Sequence, residues 1–239
     1  MRTTASLIDS AKRRVLSAGL GPRGELALVA GGAGIYALAY RRIDDHEAAA
    51  FENGRAVLRF ERALRIDCEL AVQRLALRRD GVRRVANGVY TWAYWPVIVG
   101  ALASLWRHDR RRHRVLRDGM VLSGLAGLVV FLYYPVAPPR MLPGFVDTIG
   151  PGSIEHAVVH GTIANPYAAL PSFHAGWFTL AAFMVASSAG HHLGVPAAVT
   201  AAGAMSAAVV ITANHYVVDI PAGIGLSFAG AALAARLLP

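Results

Sequence analysis

Six long apolar stretches, separated by short polar or strongly charged segments, restrict what this chain can fold into more than any other feature. They occupy residues 26–40, 85–106, 119–136, 172–189, 193–213 and 217–238. A helix crosses the hydrocarbon core of a bilayer in about 20 residues, with about 17–25 tolerated, and the last five stretches meet that length. The first is short, although Ala48, Ala49, Ala50 and Phe51 could extend it past a charged interruption. Backbone polar groups in lipid must be satisfied within the spanning element, so these stretches read as helices. The expected fold is all-α: a polytopic membrane protein with a six-transmembrane-helix bundle and amphipathic interfacial helices. Of the 239 residues, 55% are hydrophobic and 16% charged, and the mean hydropathy is +0.42. An ordinary soluble domain is more polar than this.

Charge is confined to the connections. Residues 41–84 carry eleven arginines and eight acids, with Val57, Leu58, Leu64, Leu70, Val72, Leu75 and Leu77 at near-helical spacing. The segment reads equally well as amphipathic helices on the membrane surface or as a solvated connector. The net charge of +9 does not point to nucleic acid, because the basic residues alternate with apolar runs and so face headgroups or an anionic substrate. The basic cluster at residues 107–117 places that connection in the cytoplasm. The segment 137–171, with Arg140 as its only strong base, then falls outside, as does 41–84. Residues 1–24 form an expected basic cytoplasmic segment without a signal peptide, and 25–239 a single membrane-embedded domain. Cys68 is the only cysteine, which excludes an intrachain disulfide and a thiolate metal site.

This topology gathers Arg140, Ser172, His174, His215 and Asp219 at one outer rim. Ionisable groups at membrane helices are costly and mark function. His215 and Asp219 are four residues apart, a spacing that on a helix puts both on one face. Asp219 can then hold one imidazole nitrogen and leave the other free to attack. Transfer of a phosphoryl group needs a nucleophile, an acid for the leaving group, and positive donors around the equatorial oxygens. Two histidines can divide the first two tasks, and the planar fork of Arg140 suits a phosphate. Ser172 follows Pro171 and is placed either to cap a helix or to meet a phosphate. Asn214 divides evenly between capping the final helix and contacting phosphate. His156, His160, His191 and His192 read as connector residues rather than metal ligands, and no metal or cofactor is expected.

Residues 135–140 (PVAPPR), 165–174 (NPYAALPSFH) and 214–219 (NHYVVD) resemble, in that order, the three signature segments of the type 2 phosphatidic acid phosphatase superfamily. The branch that includes inositol phosphorylceramide synthases and their bacterial relatives looks most similar. The resemblance implies attack by His215 to form a phosphohistidine, orientation of its ring by Asp219, and protonation of the leaving oxygen by His174. It also implies that His174 then activates water or an alcohol acceptor, and that Arg140, Ser172 and Asn214 bind substrate. Two basic residues of the commonest pattern are replaced here by Tyr133 and Val209. Arg55, Arg59, Arg62 and Arg65 are candidates to supply the missing charge, whereas Arg117 belongs to the opposite face.

The expected function is therefore a membrane lipid phosphatase or phosphotransferase of the cell membrane, acting on a lipid or prenyl phosphate or diphosphate from the extracytoplasmic side. A transporter or channel would carry charges at mid-depth in several spans, and here they sit at the rim. A lipid-binding scaffold would be expected to have lost His174, His215 or Asp219. A prenyl diphosphate-processing enzyme on the same helical core is the remaining alternative.

Overall fold

A computed structural model describes residues 21–40, 47–150, 166–188 and 194–238 of the chain. Most of the basic N-terminal segment, Asn165 and the histidines at 156, 160, 191 and 192 lie outside the described residues. The helices in chain order are α1 (Pro22–Tyr40), α2 (Glu47–Leu64), α3 (Glu69–Leu77), α4 (Asp80–His108), α5 (Arg110–Tyr133), α6 (Phe173–Ser188), α7 (Gly194–Ile211) and α8 (Asp219–Leu237). No strand occurs among the described residues, only a single parallel bridge between Val136 and Ala168. Four helices, α4, α5, α7 and α8, are long and apolar enough to cross a membrane.

Packing follows from small residues at the crossings. α8 lies against α5 and α6, and α6 also packs on α4 and α7. A Cβ at Gly119 of α5 would sit 2.7 Å from the Cα of Ala231 in α8, so only glycine permits that approach. Close backbone contact of this kind is how helices gain packing where lipid offers no hydrophobic driving force. Ile98, Leu105, Leu116, Leu180, Met205 and Val209 fill the interior, while Val99, Val129, Val199 and Leu233 are exposed on the outside. The outward apolar faces suit contact with lipid tails.

Three boundaries differ from the sequence expectation, each for a local reason. The arginines at 110–117 are not a loop: they form the first two turns of α5, because Asp109 accepts the Arg112 amide at 2.9 Å and caps the helix. The last helix begins at Asp219 rather than Val217, so His215 lies in a non-helical turn. The segment before α4 is helical rather than a solvated connector, and one face of its first helix packs on protein. Ala50, Gly54, Val57 and Glu61 form a buried stripe on α2, and that stripe faces protein. The Ala137 amide donates to the Ala50 carbonyl at 3.0 Å, and Asn53 Nδ2 to the Pro135 carbonyl at 2.9 Å. A Cβ at Gly54 would meet Tyr216 Oη at 2.7 Å and the Ala137 oxygen at 2.8 Å. Together α2 and α3 form a cap over one end of the bundle. α4 is interrupted by a π-helical turn at Val89–Ala93, a distortion that concentrates at functional sites.

Candidate active site

Backbone hydrogen bonds join three distant segments beneath the α2–α3 cap. Val136 donates to Tyr167 at 2.8 Å and accepts from Ala169 at 3.3 Å, which lays residues 135–140 beside 166–172. The Arg140 amide donates to the Ala213 carbonyl at 2.8 Å, and the Ser172 amide to the Asp219 carbonyl at 3.1 Å. Ala213 itself has φ 52°, in the left-handed region. This residue stops α7 and lets the amides of Asn214 and His215 both return to the Val209 carbonyl. The turn leaves His215 facing the second segment.

His215 is 5% exposed. Its Nδ1 lies 2.7 Å from the Ala169 carbonyl and 3.4 Å from Asp219 Oδ2. A proton on Nδ1 satisfies both oxygens and makes Nε2 the lone-pair nitrogen, and Nε2 has no hydrogen-bond partner among the described residues. The four-residue spacing therefore brings the pair together, but through a turn rather than a helix face. Asp219 is fully buried, and its Oδ2 also accepts the Tyr216 amide at 2.8 Å. The His174 ring centroid lies 6.0 Å from that of His215. Tyr90 and Tyr94 hold the His174 ring, each with its centroid 4.3 Å away. Tyr90 lies within the π-helical turn and Tyr94 immediately follows it.

Arg140 is close by, on the short 3-10 turn Pro139–Met141. Its side chain is 7% exposed and donates to Asn214 Oδ1 at 2.6 Å, while Nε lies 3.8 Å from the Asp147 carboxylate. Burial lowers the pKa of the guanidinium, and the neighbouring Tyr90 and Asp147 oppose that shift; arginine starts so high that the charge is kept. Asn214 does not cap α8. Its Nδ2 donates to Thr212 Oγ1 at 2.9 Å, so the side chain links Arg140 to the end of α7. Ser172 is fully buried and its Oγ accepts the Ala175 amide at 3.3 Å, the geometry of an N-cap on α6. Gly223 of α8 passes so near the Ser172 carbonyl that a Cβ there would collide with it.

The remaining basic residues lie elsewhere. Arg55, Arg59, Arg62 and Arg65 are exposed, and Arg62 pairs with Asp67 at 3.7 Å. The stripe that α2 turns towards the site bears Glu61 instead. Tyr133 is 85% exposed, and Val209 contributes only its carbonyl. Arg117 is at the other end of α5, 2.5 Å from Glu25. Sequence reasoning missed Glu61, Glu69, Tyr90, Tyr94 and Asp147. One signal was available for Glu61: it falls in helical register with the apolar stripe of Ala50, Gly54 and Val57.

Fold and site together define a helical, membrane-type protein with two histidines, a buried aspartate and an arginine at one end of its bundle. The PAP2 superfamily profile matches residues 55–233, and the chain belongs to that superfamily. Members are phosphatases or phosphotransferases, so the chain has a phosphatase-type fold with phosphoric ester chemistry as its general activity. No curated protein and no solved structure matches the chain.

Proposed function

We propose that the protein is an integral membrane phosphatase or phosphotransferase that cleaves a lipid-linked phosphate or diphosphate through a phosphohistidine. The observation that carries this is the state of His215: Nδ1 is engaged by Ala169 and Asp219, and Nε2 has no partner among the described residues. His215 Nε2 attacks phosphorus, the bond to the leaving oxygen breaks, and His174 gives that oxygen a proton. Asp219 stabilises the charge that develops on the ring. In the second half-reaction His174 takes the proton from water or an alcohol, which attacks the phosphohistidine and frees His215. Arg140, positioned by Asn214, meets the equatorial oxygens, and Ser172 fixes the start of the helix that carries His174. Likeness to the inositol phosphorylceramide synthase branch favours an alcohol acceptor.

In the bilayer, α1 and α6 join α4, α5, α7 and α8 as a six-span bundle, with residues 25–239 as one domain and the site at the extracytoplasmic face of the cell membrane. The basic start of α5 and the site occupy opposite ends, which supports this orientation. The protein purified in detergent is incubated with phospholipids and prenyl phosphates, with and without alcohol acceptors, and products are read by mass spectrometry. An acid-labile phosphoryl label on His215 is expected; turnover without it would exclude the phosphohistidine. Cys68 is exposed, so a membrane-impermeant thiol reagent is expected to label intact cells. A cysteine introduced by Arg111→Cys should react only after the membrane is opened, and the reverse pattern would invert the orientation.

A further inference from the structure

Glu61 and Glu69 take no part in the chemistry above, yet they are among the most buried side chains of the protein, at 0% and 1% exposure. Both point from the α2–α3 cap at the turn after His215. Val217 donates its amide to Glu69 Oε1 at 2.8 Å and Val218 donates to Glu61 Oε1 at 2.7 Å. The preceding amide, that of Tyr216, goes to Asp219. Three consecutive backbone N–H groups are thus each taken by a buried acidic side chain.

The two glutamates also contact each other. Glu61 Oε2 meets no conventional donor among the described residues, and no arginine or lysine there forms an ion pair with either glutamate. The titratable groups facing the pair are Asp219 from α8, the Tyr216 hydroxyl, and the Cys68 thiol from the α2–α3 connection. All are acidic. Two touching carboxylates without a cation cannot both stay ionised out of water, and one shared proton removes the repulsion and fills the orphaned oxygen. Burial, then the contact with Glu69 and the nearby Asp219, raise Glu61 from 4.5 to about 9.

We infer that Glu61 and Glu69 are positioning residues: holding one proton between them, they grip the amides of Val217 and Val218 and set the turn that brings His215 to Asp219. Their effect on turnover rests on the phosphotransfer chemistry proposed above; their grip on the turn does not. Glu61→Gln mimics the protonated acid, keeping an oxygen for Val218 and an N–H for Glu69. Glu61→Ala removes both.

The test compares wild type, Glu61→Ala and Glu61→Gln in detergent. In Glu61→Ala, kcat on p-nitrophenyl phosphate is expected to fall about 10²-fold with KM little changed, the size expected when a reacting group is misplaced by about 1 Å. Hydrogen exchange in the peptide covering residues 216–218 should accelerate in the same variant. Glu61→Gln should restore kcat and slow exchange. A group whose pKa is raised on folding lends stability that is complete below its unfolded value and lost as pH rises through its folded value. The melting temperature of wild type should therefore fall between pH 4.5 and about 9, and Glu61→Gln should lack that part of the fall. Glu61→Gln as damaged as Glu61→Ala, wild-type exchange in Glu61→Ala, or an unchanged pH slope would each overturn the inference. If Glu61→Ala does not fold, the Glu61→Gln slope decides. If wild type itself turns over no phosphate ester, the functional reading fails while exchange and melting still judge the glutamates.

Discussion

His113 and His215 are the same side chain in two settings, at opposite ends of the bundle. Each is 5% exposed, and each has Nδ1 on a distant backbone carbonyl, Leu102 at 3.0 Å for His113 and Ala169 at 2.7 Å for His215. Each also has a carboxylate at ion-pair range. Glu25 faces His113 on its second nitrogen, Nε2, at 3.5 Å, whereas Asp219 approaches His215 on the nitrogen already in use, at 3.4 Å. Arg117 pairs with Glu25 and Asp118 beside His113, and Trp106 lies edge-on to the ring. One end of the molecule matches positive with negative charge around a histidine whose Nε2 has a carboxylate at ion-pair distance but no hydrogen bond among the described residues. The other end gathers acids behind a histidine whose far nitrogen meets no partner, charged or neutral, among the described residues. A buried histidine becomes a candidate nucleophile not by being buried but by which nitrogen its carboxylate occupies.

The sharpest way to break that contrast is to remove each histidine. His215→Ala is expected to cost a factor on the order of 10⁵ or more in kcat on every substrate. His113→Ala should keep turnover and instead lose about 1–3 kcal/mol of stability through its unpaired neighbours. Turnover assays beside thermal melts decide, and a folded but inactive His113→Ala would abolish the distinction. His174→Ala should lose about 10²–10⁴-fold on lipid esters and much less on p-nitrophenyl phosphate, whose leaving group needs little protonation. Equal losses in single-turnover cleavage of both substrates would remove His174 from the acid role.

Smaller effects sharpen the comparison. Gly54→Ala drives a methyl group into Tyr216 Oη and the Ala137 carbonyl, and should cost about 1–3 kcal/mol as overpacking, read by melting. Unchanged stability would mean that α2 does not press on the site. Asp147→Asn keeps the acceptor for Ile149 and Gly150 but removes a charge that competes for Arg140. KM for an anionic ester should fall by up to about fivefold, matching the worth of a partly exposed ion pair; a rise in KM would show that Asp147 instead orients Arg140. Chelation by EDTA should change nothing, because His215 supplies its own nucleophile. Loss of activity with rescue by a divalent cation would count against the mechanism.

Apolar stretches can be read from a chain because burial in lipid makes every residue of a span obey the same rule. The helices near residues 85–106, 119–136, 172–189, 193–213 and 217–238 were legible on that ground, and so was the order of the three polar segments. Their ends were less legible. The N-cap at Asp109 carried the arginines into α5, and the left-handed Ala213 ended α7 and put His215 in a turn. Both are single-residue backbone decisions that hydropathy does not register.

By itself the sequence determined which stretches are helical and apolar, and that two histidines, an aspartate and an arginine border them. Only the tertiary structure decided which nitrogen of His215 stays open, that Asn214 serves Arg140 rather than α8, and that Tyr90 and Tyr94 hold His174. It also turned a charged connector into the cap whose glutamates reach amides 148 and 157 residues further along the chain. The physical reason is range. Hydropathy and helix propensity act over neighbouring residues and leave a periodic trace, whereas a buried hydrogen bond joins two groups wherever packing brings them and leaves no pattern in the chain between them.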